Sequence, residues 1–152
     1  MTGYQTYHRT SVQTADRVYV VVLLYEKAIS NLNQATMHLD GELDECDWSK
    51  RMSNTQDILN YLHSALDFKQ GGEIAANLAK LYDYIRDIVN DGTIHRDAEK
   101  LREARGLLAE LLEGWRGIAK DNPGATAAEN AAGASQRYGS MNGRSQSMAM
   151  MA

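Results

Sequence analysis

Apolar residues recur at alternating steps of four and three along four stretches of the chain, the spacing that keeps side chains on one face of an α-helix. Val18, Val22, Tyr25, Ile29, Leu32, Thr36 and Leu39 form the first seam. Trp48, Met52, Thr55, Leu59, Leu62 and Leu66 form the second, and Ile74, Leu78, Leu81, Ile85 and Ile88 the third. The fourth is Leu101, Ala104, Leu108, Leu111, Trp115 and Ile118. The breaks between seams carry helix-ending chemistry. Asp16 is placed to cap the first helix, and Asp40, Gly41 and Glu42, with Glu45 and Asp47, end it and open the second. Gly71-Gly72 predicts the stop of the second helix, because glycine adopts left-handed C-cap geometry cheaply, and Glu73 then falls in the first turn of the third. Asp91-Gly92-Thr93 predicts the end of the third helix, with Asp97 capping the fourth. All three connections are short, so successive helices should be neighbours of opposite direction. The pattern predicts an all-α fold, an antiparallel up-down-up-down four-helix bundle.

The run Val18 to Tyr25 is rich in β-branched residues and on its own also suits a buried strand. The seam continues unbroken through Ile29 and Leu32, which favours helix. A helix that is apolar all round has more apolar surface than one seam of a bundle hides. Val21, Leu24 and Ala28 make a second stripe beside the first seam. Similar stripes run through Ile58, Tyr61, Ala65 and Phe68, and through Ala75, Tyr82 and Val89. They are either the flanks of a wide core or the walls of an apolar groove filled by another chain.

Composition divides the chain. From Asp121 to Ala152 there is no Leu, Ile, Val, Phe or Trp, and the charges of that stretch cancel, Asp121 and Glu129 against Arg137 and Arg144. A segment so poor in large apolar groups cannot offset its ordering entropy by burial, so residues 121–152 are expected to be a disordered low-complexity tail. Residues 1–120 are the expected helical domain, and the whole net charge of −4 sits there. That acidic balance argues against nucleic acid as a partner. A lone cysteine, Cys46, excludes an internal disulfide. The longest apolar run is far short of the roughly 20 residues that cross a bilayer, so no membrane insertion is expected. The polar start, Met1 to Thr6, lacks the charged-then-apolar pattern of a secretory signal. Together these readings point to a cytoplasmic protein.

Catalytic and metal chemistry find little support in the residues. A bundle-held di-metal centre needs Glu-x-x-His pairs, yet the residues three before His38, His63 and His95 are Ala35, Asn60 and Gly92. The acidic cluster Asp40, Glu42 and Asp44 has Glu45 where a calcium loop needs glycine. Cys46 lies between Glu45 and Asp47, charges that disfavour a thiolate. Gly71-Gly72 is followed by no lysine and preceded by no strand, so it is not a phosphate loop. Neither a metal, a cofactor nor an enzymatic activity is expected. The remaining alternative is a histidine phosphotransfer bundle using His63, although Asp67 stands where a basic group would steady a phosphoryl group.

The local sequence resembles the FliS family of bacterial flagellin secretion chaperones. The resemblance is carried by Tyr7 with Val12-Gln13-Thr14-Ala15 and by Leu23-Leu24-Tyr25-Glu26-Lys27-Ala28-Ile29. Gln56-Asp57-Ile58-Leu59 and Leu66-Asp67 follow, then Gly71-Gly72-Glu73-Ile74-Ala75-Ala76-Asn77-Leu78 with Leu81-Tyr82-Asp83-Tyr84. Leu107-Leu108 through Trp115 completes it, so the ordered set spans nearly all of the helical body. The chain departs from the family in having Asp16-Arg17 where Ser-Pro commonly starts the first helix, and in its longer Ala/Gly/Ser/Met tail.

The resemblance implies a chaperone that holds the C-terminal segment of flagellin in apolar grooves, prevents premature polymerisation and delivers it to the flagellar type III export gate. Coupled folding and burial supply the energy, without nucleotide. On this reading Leu24, Tyr25 and Ala28 of the first helix and Ile58, Tyr61 and Leu62 of the second line the client groove. Gln56 and Asn77 hydrogen-bond the client backbone. Tyr7 and Val12, in an N-terminal cap segment ahead of the first helix, cover the groove until the client arrives.

Overall fold

A computed structural model describes the backbone of residues 3–121 and the side chains of residues 16–119. It contains four helices: α1 (Gly3–Leu39), α2 (Trp48–Ser64), α3 (Phe68–His95) and α4 (Ala98–Asp121). α1 packs against α2 and α4, and α3 packs against the same two, so the helices enclose one core in a square array. Cross-helix pairs set the directions. Asp40, Asn33 and Glu26 of α1 and its C-terminal turn meet Arg102, Arg105 and Arg116 of α4 in reverse order. Gln56 and His63 of α2 meet Arg86 and Asp83 of α3 in the same reversed sense. The bundle is therefore antiparallel, up-down-up-down.

The seam residues fill the core. Leu32, Leu59, Leu78, Ile85, Leu101, Leu108 and Ile118 are fully buried, and all six positions of the fourth seam lie inside. A few polar groups set the register. The Asn31 amide, buried on α1, donates to Asn54 Oδ1 at 2.8 Å, and its oxygen accepts from Arg51 at 3.3 Å. Across the core Tyr25 and Tyr82 share a hydroxyl–hydroxyl bond of 2.5 Å, joining α1 to α3.

Three expected boundaries move. Asp16 does not cap α1, which begins at Gly3; the aspartate is exposed within the helix. No glycine or proline separates Tyr4 from Arg17, so nothing in that stretch ends the helix, and Tyr7 and Val12 lie within α1 rather than ahead of it. α2 stops at Ser64, before the glycine pair, where the Ser64 hydroxyl donates to the Tyr61 carbonyl at 2.8 Å. Asp67 then caps α3, its carboxylate accepting from the Lys69 and Gln70 amides at 3.0 and 3.1 Å. Gly72 therefore falls inside α3, where φ 50° and ψ −125° kink the helix after its first turn. α3 also runs past Gly92 to His95, ending on Arg96 in the left-handed conformation. Gly92 serves packing: a Cβ there would stand 2.6 Å from Leu101 Cδ2.

The other caps agree with their residues. Gly41 takes φ 81° after α1, the Asp47 carboxylate accepts from the Lys50 amide, and Asp97 accepts from the Glu99 and Lys100 amides. The Arg96 guanidinium sits 4.6 Å from the centre of the Trp48 ring, tying the α3–α4 turn to the start of α2. Among the described residues no helix is long and apolar enough to cross a membrane. The expected tail lies outside the described residues beyond Asp121, which closes α4.

Candidate functional site: an apolar groove at one end of the bundle

α2 and the first turn of α3 end before α1 does, and the space between them forms a groove of about 450 Å³. Val18, Val20 and Val21 form the α1 wall. Tyr61, Leu62, Ala65 and Leu66 form the wall from α2 and the link after it, and Ile74, Ala75 and Leu78 that from α3. Tyr82 and Trp115 lie at its base. The kink at Gly72 brings Gln70 and Gly71 to one end of the groove beside Asp67. Asp16, Arg17 and Asp67 supply its charged rim.

Two large apolar side chains stay exposed on the groove walls, Tyr61 at 52% and Val20 at 45%. Exposed apolar groups gathered around a concave apolar surface mark a place that a partner covers. The base, by contrast, is buried. Burial holds the Tyr25 hydroxyl well above the ordinary tyrosine pKa, an effect that neighbouring Tyr82 strengthens. Tyr82 is pushed up to about 12, again by burial, with the bond to Tyr25 easing it slightly. Both phenols are therefore neutral hydrogen-bonding groups, not proton-transfer groups, at physiological pH. The Trp115 ring lies 6.3 Å from that of Tyr25, and its indole N–H approaches the Tyr25 hydroxyl without reaching hydrogen-bond geometry.

The residues expected to line a groove divide. Tyr61 and Leu62 do line it. Tyr25 and Ala28 are fully enclosed in the core and Ile58 is nearly so; they stand behind the walls and offer no surface to a partner. Leu24 is half-buried and packs against the core. Gln56 spends its side-chain amide on the Arg86 carbonyl at 3.1 Å, which joins α2 to α3. Asn77 is half-buried on α3 and is absent from the groove lining. The side chains of Tyr7 and Val12 lie outside the described residues.

Sequence reasoning missed Val18, Val20, Leu66, Ile74 and Trp115 as groove residues, because four of the five sit on core seams. The available signal was the all-round apolar run from Val18 to Tyr25, whose surplus the core does not absorb.

Among the described residues no cluster of His, Cys, Asp and Glu has the makings of a metal site. His63 Nε2 lies 3.5 Å from the Asp83 carboxylate, on the α2–α3 face. A carboxylate against the imidazole opposes a phosphoryl group there, and the phosphotransfer alternative is not favoured.

Comparison with known proteins identifies the family. A family model described as flagellar protein FliS matches residues 1–122. The flagellar secretion chaperone FliS of Salmonella typhimurium is 31% identical over 121 residues, covering 76% of this chain and 89% of that protein. The flagellar secretion chaperone FliSB of Pseudomonas aeruginosa is 39% identical over 61 residues, which cover 40% of this chain and 48% of that one. The FliS chaperone of Vibrio cholerae is 30% identical over 80 residues, 53% of this chain and 59% of its own length. A family match over the entire described bundle, together with the bundle's own architecture, places this chain in the FliS family.

Proposed function

We propose that this protein is a cytoplasmic export chaperone. It binds the C-terminal segment of flagellin in the apolar groove, keeps it from polymerising and presents it to the flagellar export gate. One observation carries the reading: a largely apolar groove opens at one end of the bundle, and two of its large wall residues, Val20 and Tyr61, stay exposed on it. A client that is disordered when free and apolar at helical spacing matches such a surface, since its ordering cost is offset by burial against preformed walls.

In this reading Tyr61 and Leu62 contact the client together with Val20, Leu66 and Ile74. Tyr25, Ala28 and Ile58 hold the walls in place from behind. Leu24 supports α1, and Gln56 fixes the α2–α3 spacing instead of pairing with client backbone. Asn77 remains a candidate for a client hydrogen bond further along α3. Tyr7 and Val12 act as the cap that yields to the client. Calorimetry with a flagellin C-terminal peptide tests the assignment. Saturable binding tighter than about 10 μM, roughly 7 kcal/mol, is expected, and its absence overturns the chaperone reading.

A further inference from the structure

The groove and the end of α4 lie at the same end of the bundle. Trp115 forms part of the groove base, and α4 closes at Asp121, about 9 Å further along the helix axis at 1.5 Å per residue. Residues 122–152 follow. By random-coil statistics a stretch as long as Asn122 to Tyr138 would reach on the order of 20–25 Å, enough to return to the groove and too short to favour the far end.

The segment beyond that linker is apolar in a pattern. Tyr138, Met141, Met148 and Met151 follow steps of three, seven and three, a spacing that would gather them on one side of any helix the segment formed on docking. The residues between them are mainly Gly, Ser, Asn, Gln and Ala, so this stripe has nothing of its own to pack against. Methionine is unbranched and polarizable and fills irregular apolar hollows well. A groove of about 450 Å³ takes a few such side chains. The segment carries one charged side chain, Arg144, and the groove rim offers Asp16 and Asp67 beside Arg17.

We propose that Tyr138–Met151 docks in the groove of its own chain, an internal occupant that an incoming client displaces. The docking stands on the groove and the segment alone; only the displacement rests on the client reading. Tethering raises the local concentration to the order of millimolar, so even weak intrinsic contacts hold the segment in place. A client then meets a groove whose free fraction is reduced, and its apparent affinity falls by that fraction.

The test uses the full chain with Cys46→Ser and a spin label on Ala149→Cys. Docking predicts selective loss of the methyl signals of Leu62, Leu66 and Ile74, with Leu101 at the opposite end unaffected. The loss persists on dilution and disappears with Met148→Asp and Met151→Asp. Absence of selective loss overturns the proposal, as does loss that fades on dilution, which means docking onto a second copy. Adding the flagellin peptide separates the two readings. If the methyl loss is seen but no peptide binds, the client reading fails and the docking stands. If peptide binds the same chain and no loss is seen, the docking fails alone. With both correct, the Met148→Asp and Met151→Asp chain binds peptide roughly three- to tenfold more tightly.

Discussion

Tyr25 and Tyr82 carry the residue-scale argument. Each hydroxyl is buried and each satisfies the other, so removing one leaves the other without a partner. Tyr25→Phe is expected to cost about 1–3 kcal/mol, the penalty for a buried unsatisfied hydroxyl. The double change to phenylalanine should cost less than the sum of the single ones, a coupling that urea denaturation measures as a double-mutant cycle. The same pair sets an alkaline limit. Both phenols hold their protons more tightly when folded, so the folded state binds more protons than the unfolded one above pH 10. Their contribution is complete below pH 10 and is lost as pH rises towards 12. The urea midpoint of the native chain should therefore fall across that window more steeply than that of the double variant.

At the scale of elements, the glycines separate local conformation from packing. Gly92 and Gly106 both lie inside helices, and neither has positive φ. A methyl at Gly106 meets nothing within 4 Å, so Gly106→Ala should stabilise by about 0.5–1 kcal/mol through helix propensity. A methyl at Gly92 drives into the fully buried Leu101, so Gly92→Ala should destabilise by about 1–3 kcal/mol. Thermal melts of the two variants should shift in opposite directions. The same contrast explains why Gly92 misled as a helix end: its composition matches a stop, and its role is close approach. Asp16 misled for a related reason, since an exposed aspartate is tolerated within a helix that nothing interrupts. Asp97 and Asp47 were legible because their carboxylates do accept the first amides of α4 and α2.

For the whole molecule, the groove test turns on exposure. Tyr61 is 52% exposed on the groove wall, whereas Leu62 beside it is buried. Tyr61→Asp should weaken flagellin-peptide binding at least about tenfold, some 1.4 kcal/mol, while the melting temperature stays near the native value. Leu62→Asp should lower both, because it places a charge in the core. Unchanged binding in the folded Tyr61→Asp protein would remove this groove as the client site. Leu24, half-buried against the core, makes a poor probe of the groove for the same reason as Leu62.

Three-and-four spacing and short polar links by themselves determined four helices, their antiparallel order and almost all of the core, because local periodicity dictates which face of each helix must be hidden. The family was legible too, in blocks such as Leu23 to Ile29 and Gly71 to Leu78. What periodicity leaves undecided is which of two adjacent apolar stripes becomes core. Ala75, Tyr82 and Val89 went inside, and Tyr61 and Phe68 stayed at the surface. That choice depends on where neighbouring helices stop. Ser64 and Asp67 end and reopen the chain before the glycine pair, Gly72 kinks the next helix, and α1 runs on past them. The groove is the volume left by those unequal ends, a property of several chain segments in space that no single stretch of sequence contains.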